Sequence, residues 1–290
     1  MATNTPFGQR LGLVLEGGAM RGIYTAGVLD VFLEAGIMPD VVVGVSAGAL
    51  HGCSYVAGQK GRSIRYYRKY RSDKHFMGLY SLLTTGDVVG TKFCYEDIPL
   101  RLDPFDEAAF EKASVDFYVT VTNVRTGKPE YILCDELKVG SKMDVIRAGA
   151  SMPLCSKMVE WNGNLYLDGG VSDSIPYAKM KDFGCRKSIV VLTQPAGYLK
   201  QPAAMAPFEA MYRKYPAFVE AMRGRDQMYN TEVCAVEQAA KQSDVFLIRP
   251  SKLLHVGRME HDIEVLNAQY ELGRQDARNQ MDAMREWMER

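Results

Sequence analysis

A chain of 290 residues has room for one large α/β domain or two modest ones with a real core. Its 47% hydrophobic and 24% charged residues are ordinary globular values, and 35 Lys+Arg against 35 Asp+Glu argue against bulk electrostatic binding of nucleic acid. No run approaches the roughly 20 apolar residues of a membrane-spanning helix. The first ten residues lack the apolar core of a signal peptide. Six widely spaced cysteines without a C-x-x-C pair or ligand-like histidine spacing read as reduced, packed thiols, not as a disulfide frame or a metal site. A soluble cytoplasmic protein is expected.

Residues 11–15 form an apolar run, read as the first strand, that leads directly into Glu16-Gly17-Gly18-Ala19-Met20-Arg21-Gly22. Residues 23–35 carry apolar residues at helical spacing. Residues 41–45 are a continuous valine-rich run, the pattern of a strand buried on both faces, with a helix expected from residue 49. This is a βαβ unit with a parallel sheet and a right-handed crossover.

The second strand feeds Gly44-Val45-Ser46-Ala47-Gly48, a G-x-S-x-G turn too tight for bulk at its glycines. Such a turn exposes a serine hydroxyl at a helix N-terminus, where free N–H groups can meet an oxyanion. The glycine run at 17–22 offers backbone N–H groups as an anion nest. Neither G-x-G-x-x-G nor G-x-x-x-x-G-K-[ST] is present, which counts against a nucleotide loop and leaves a structural turn or an oxyanion hole. Parallel neighbours place their carboxyl ends side by side, so this loop should face Ser46.

Next come Arg62, Arg65, Arg68, Lys69, Arg71 and Lys74, interleaved with Tyr66, Tyr67 and Tyr70. On a helix this set would present cations beside rings, a contact for anionic headgroups, or simply a solvated face. Residues 78–99 read as a turn-rich excursion with little periodicity. Strands are expected at 116–124 and 130–134 around a turn at 125–128, then a helix at 143–151. A short strand at 164–167 runs into Asp168-Gly169-Gly170. A helix at 175–183 and a buried strand at 188–193 follow. Beyond Pro195 the chain turns mainly helical over 202–242, with a strand at 245–249 that could join the sheet. One long helix over 260–290 should bury Ile263, Leu266 and Tyr270. The expected division is an α/β core over 8–200 and a mainly helical extension over 201–290 packed on it.

A catalytic serine needs a base. His51 lies more than a helical turn beyond Ser46, and His255 and His261 fall in the extension. Asp168 ends a strand before two glycines, a place expected at a sheet edge with the backbone bare on one side.

In chain order, Gly17-Gly18-Ala19-x-Arg21-Gly22, Gly44-x-Ser46-x-Gly48 and Asp168-Gly169-Gly170 resemble the motif set of bacterial patatin-like phospholipases, over about residues 8–200. The resemblance implies an α/β three-layer sandwich with a mainly parallel central sheet. It also implies a cofactor-free and metal-free lipid acyl hydrolase acting on phospholipid or a related acyl lipid. By position it makes Ser46 the nucleophile and Asp168 the proton acceptor of a dyad. The loop of Gly17, Gly18, Ala19, Arg21 and Gly22 becomes the oxyanion hole, with Gly44, Gly48, Gly169 and Gly170 as motif glycines. Ala19 stands where glycine is common, and Glu16 precedes the loop where a small polar residue is more usual. The residues alone leave open a Ser-His-Asp esterase using His255 or His261, and a non-catalytic lipid-binding module. Peripheral contact with a membrane surface is a further expectation; oligomeric state is not fixed by the sequence.

Overall fold

The computed structural model describes residues 6–290 apart from residues 254 and 258. Residues 1–5, half of the polar N-terminal stretch, lie outside the described residues. The apolar runs assemble one eight-stranded sheet from β1 (Arg10–Leu15), β2 (Val41–Val45), β3 (Asp116–Asn123), β4 (Pro129–Leu133), β5 (Val159–Trp161), β6 (Asn164–Asp168), β7 (Cys185–Val191) and β8 (Val245–Ile248). The order is β5-β6-β3-β2-β1-β7-β8, with β4 also paired to β3. β3, β2, β1, β7 and β8 are parallel neighbours, whereas β4, β5 and β6 join through antiparallel pairings.

The helices are α1 (Ile23–Glu34), α2 (Ala47–Val56), α3 (Arg62–Tyr70), α4 (Leu79–Thr85), α5 (Glu107–Lys112) and α6 (Met143–Gly149). They continue with α7 (Ala206–Met211), α8 (Pro216–Arg223), α9 (Arg225–Lys241), α10 (Ile263–Asn279) and α11 (Met281–Glu289). Side chains alternate across a strand, and the core splits accordingly. Leu13, Leu15, Val42, Phe117 and Val119 pack toward α1, α2 and α6 on one face. Val14, Val41, Val43 and Val190 pack against Tyr229, Val236 and Ala239 of α9 on the other. The result is the expected three-layer α/β architecture, mainly parallel at its centre, with a largely helical C-terminal region.

That C-terminal region is tied closely to the first βα unit. β8 extends the sheet beside β7. α10 lies against α1 at a pair of facing glycines: a Cβ on Gly27 would stand 2.1 Å from the Tyr270 carbonyl oxygen, and one on Gly273 2.1 Å from that of Tyr24. Tyr24 donates to Asp276 and Tyr270 to Asp30 on either side of that contact.

Several elements differ from the expectations. α2 begins at Ala47, two residues early, because the turn at Ser46 is itself the helix N-cap. The excursion at 78–99 contains α4 and a π-helical stretch, Phe93–Leu102, with Pro99 inside it. The helix expected at 175–183 shrinks to a single 3-10 turn, Ala178–Lys181. The long C-terminal helix is two, α10 and α11, separated at Gln280. Among the described residues, no helix is long and apolar enough to cross a membrane.

The basic and aromatic segment is corrected most. α3 forms, but Tyr66, Tyr67 and Tyr70 point inward and are buried. Arg62 is 5% exposed and bonds to Ser54 and the Asp103 carbonyl, while Arg65 makes a two-pronged ion pair with Asp103. Arg71 is likewise buried, holding the carbonyls of Met259 and Glu260. Arg62 and Arg71 are therefore spent inside the fold, whereas Arg68, Lys69 and Lys74 stay exposed.

Candidate active site

Ser46 follows the last residue of β2 and caps α2, with φ +53° and ψ −123°, a conformation that non-glycine residues rarely adopt. Strain of this kind persists only where the surroundings over-determine it. Here they do. A Cβ on Gly44 would lie 2.5 Å from Ala49 Cα, and one on Gly48 2.3 Å from the Leu15 carbonyl oxygen. The chain can turn from β2 into α2 beside β1 only with bare backbone at both positions.

Strand register brings the aspartate to the serine. β3 pairs with β4 along one side, over Tyr118–Thr122. Its other side is shared: β2 covers it up to Val45 opposite Thr120, and β6 begins at the next residue, with Asp168 opposite Val121. The carboxyl ends of β2 and β6 therefore meet head to head against β3. Ser46 Oγ donates to Asp168 Oδ2 at 2.6 Å. Both residues are buried, at 8% and 5% exposure.

Asp168 is firmly held. Its Oδ1 accepts from Gly170 N–H at 2.8 Å, its own N–H donates to the Ser151 carbonyl, and its carbonyl accepts from Thr122 Oγ1. The position is thus not the bare edge expected from sequence, because β3 and the Ser151 carbonyl hold it on either side. Gly169 is required by proximity, since a Cβ there would lie 2.2 Å from the Thr120 carbonyl oxygen. Burial pushes the Asp168 carboxyl above the usual carboxylate range, opposed by the Ser46 hydroxyl, the Arg225 charge and the Gly170 N–H. A raised pKa makes an aspartate a stronger base. Arg225, the first residue of α9, reaches back to donate to the Gly170 carbonyl.

The glycine loop lies across the site from Asp168. A Cβ on Gly17 would touch Ser46 Cβ at 2.8 Å, so backbone and nucleophile are in direct contact. Within the loop, Arg21 N–H is already taken by the Gly18 carbonyl, and Gly22 packs on Ala47 and His51. That leaves the N–H groups of Gly17, Gly18 and Ala19 as donors without a protein acceptor among the described residues. Glu16 buttresses the loop: it is buried, and its Oε2 accepts from Thr193 N–H at 2.6 Å while Thr193 Oγ1 donates to the Gly17 carbonyl. Burial raises the Glu16 carboxyl too, against the Thr193 N–H, the Tyr229 hydroxyl and the charges of Lys200 and Arg21.

Two cavities meet at Ser46, sharing Ala19 and Met152 as walls. One is apolar, built from side chains such as Leu50, Tyr66, Tyr67, Phe76 and Tyr95. The other is charged, with Glu16, Arg21, Lys200, Arg225 and Asp168 on its walls. No histidine lines either. His51 is buried with neither ring nitrogen bonded, and burial lowers it to about 4, so it stays neutral in the core. His255 and His261 are exposed and line neither cavity. Among the described residues, no group of three or more His, Cys, Asp or Glu could hold a metal ion.

Sequence reasoning missed Thr122, Ser151, Thr193, Arg225 and the tyrosine-lined cavity. None carries a local motif; each reaches the site through register or a distant helix. The inward tyrosines of α3 were visible only as an aromatic run.

The family to which this chain belongs is one of acyl ester hydrolases. The chain belongs to the patatin-like phospholipase family, whose model matches residues 13–180, more than half of its length. Residues 215–289 match a second model, a domain of unknown function (DUF6363). The uncharacterized protein YjjU of Escherichia coli (strain K12) is 28% identical over 273 residues, covering 91% of this chain and 75% of that protein. Lysophospholipase nte1 of Aspergillus terreus is 30% identical over 182 residues, 61% of this chain but only 11% of the fungal protein. The crystal structure of VipD from Legionella pneumophila aligns over 96% of this chain and 67% of that one, with a TM-score of 0.47 and 13% identity.

Proposed function

We propose that the protein is a phospholipase A-like enzyme that cleaves acyl ester bonds through a Ser46–Asp168 dyad and an acyl-enzyme. The observation that carries this is the direct 2.6 Å hydrogen bond from Ser46 Oγ to Asp168, with no histidine between them. As Oγ attacks the ester carbonyl carbon, its proton passes to Asp168 Oδ2. The carbonyl oxygen becomes an oxyanion facing the N–H groups of Gly17, Gly18 and Ala19, and each such donor is worth roughly 3–4 kcal/mol in comparable sites. Collapse breaks the bond to the leaving alkoxide, which takes the proton from Asp168. Water then attacks the acyl-enzyme, gives its proton to the same carboxylate, and Ser46 leaves reprotonated as the fatty acid departs.

The two cavities divide the substrate. The acyl chain suits the apolar one, which begins at the serine and is lined by aromatic and aliphatic side chains. A phosphate-bearing leaving group suits the other, where Arg21, Lys200 and Arg225 converge. Its Lys200, Phe208, Met222 and Arg225 come from around or beyond residue 200. We therefore take residues 8–200 as the hydrolase unit and 201–290 as an extension that completes its site. The six free cysteines fit a reducing, cytoplasmic compartment.

An alkyl fluorophosphonate tests the assignment. One label per chain should appear on the peptide containing Ser46 and be absent from Ser46→Ala, and phosphatidyl substrates should release free fatty acid. Labelling elsewhere, or fatty acid release by Ser46→Ala, contradicts it.

A further inference from the structure

The segment between α3 and the π-helical stretch stands on a narrow neck. Gly78 N–H donates to the Val88 carbonyl at 2.8 Å, and Met77 and Val89 form an isolated antiparallel bridge. At the foot of this neck, Phe76, Met77 and Val89 are walls of the apolar cavity that reaches Ser46. At its tip, α4 has the inverse of an ordinary surface helix. Ser81 is its buried residue, donating to the Asp87 carbonyl, while Leu79 is 69% and Leu83 77% exposed, with Tyr80 and Leu82 exposed beside them. Exposed apolar residues gathered on one short element mark an interaction site more often than chance.

The tip segment itself carries positive charge and no negative charge. Residues 74–86 contain no carboxylate. Lys74 Nζ sits 4.5 Å over the Tyr80 ring, and Lys92 and Lys157 are exposed nearby in the fold, the Lys157 stem abutting Gly86. The adjoining carboxylates are engaged: Asp73 by the His75 N–H and ring, Asp87 by Lys157 N–H and Thr91. Leucines and a tyrosine collared by lysines match an anionic lipid surface, with acyl chains for the leucines and headgroups for the cations.

We propose that α4 is the surface through which this protein docks on an anionic phospholipid bilayer. A lipid drawn out beside α4 then meets the apolar cavity at the foot of the neck. The proposal rests on the lipid acyl hydrolase reading, and it moves the membrane contact from α3, whose tyrosines are buried, to the helix that follows.

The test uses the catalytically silent Ser46→Ala chain, so that binding is read without chemistry. It is floated with phosphatidylglycerol/phosphatidylcholine vesicles, with and without Leu79→Asp and Leu83→Asp together. The parent should float with the vesicles, less so as salt is raised, and the paired substitution should cut its partition at least about tenfold, the scale of two buried leucines lost. Both leucines face solvent, so no core contact is removed. As an independent readout, Leu83→Trp should shift its emission to the blue on adding vesicles and be quenched by brominated acyl chains. Equal flotation of parent and paired variant, or no response from the tryptophan, overturns the proposal. So does a paired variant that shifts a dimer to monomer without changing flotation, which would give this face to a second copy. Flotation that persists when the unsubstituted protein releases no fatty acid would instead count against the hydrolase reading and leave the docking surface standing.

Discussion

The elbow at 41–48 and the excursion at 76–102 both border the reactive serine, yet they are built on opposite terms. In the elbow nothing can move: glycines at 44 and 48 approach neighbouring backbone at distances where one added carbon would overlap, and Ser46 is held at a positive φ. In the excursion, apolar side chains face two ways, Phe76 and Met77 toward the cavity and Leu79 and Leu83 toward solvent. Rigid backbone places the reacting atoms, where small displacements are costly. The excursion instead contributes side chains to the cavity proposed for the acyl chain.

The comparison breaks first at the elbow. Gly48→Val should destroy it, because a side chain there overlaps the Leu15 and Glu16 carbonyls. We expect ester hydrolysis at background and a loss of at least about 1–3 kcal/mol in denaturant unfolding. Retention of activity would mean the turn has slack that the distances deny. In the apolar cavity, Leu50→Trp should fill space beside Ser46. Hydrolysis of a long-chain ester should fall about tenfold relative to a butyryl ester. A uniform loss on both would place the acyl chain elsewhere.

A smaller effect sharpens the electrostatics. The reactive form of Asp168 is the carboxylate, so kcat/KM on a soluble ester should rise with pH through its deprotonation. Burial raises that carboxyl, which puts the acid limb above the ordinary aspartate value of about 4. The Arg225 cation holds it down, so Arg225→Gln should move the limb to still higher pH. A limb that stays in place or moves down would remove Arg225 from the electrostatics of the dyad. The smallest effect belongs to the excursion: Leu83→Ser should change unfolding free energy by no more than about 0.5 kcal/mol, as for an ordinary surface site. A larger loss would show α4 to be packed rather than exposed.

What could be read from sequence follows the same division. The strands with apolar runs, β1, β2 and β7, sit close to their expected places because burial on both faces leaves one pattern. The elbow was legible because steric demands permit few residues there; the pairing of Asp168 with Ser46 came only from the resemblance of three motifs to a family, since the residues alone left a histidine base open. α4 and Phe93–Leu102 were not: the apolar residues of α4 face solvent, and those of Phe93–Leu102 are split between the cavity wall (Tyr95, Ile98) and solvent (Leu100, Leu102), so neither shows one core-facing stripe. The tyrosines of α3 were visible but their direction was not: periodicity gives a face, and only the partner element, here the cavity wall, says whether it turns in or out. Arg225 and Thr193 reach the site across more than fifty residues of chain, as a hydrogen bond from Arg225 to the Gly170 carbonyl and one from Thr193 to that of Gly17.

The central claim is that Asp168 is the base acting directly on Ser46. Its most direct measurement is kcat/KM on a soluble ester for Asp168→Asn, Ser46→Ala and the double variant, beside His255→Ala and His261→Ala. Asp168→Asn keeps the shape but cannot accept the proton, so activity should drop by about 10²–10⁴-fold or more. The double variant should be little worse than either single, because the two residues act as one unit. The histidine variants should keep most activity. Near-normal turnover by Asp168→Asn, with loss on removing either histidine, would contradict the dyad.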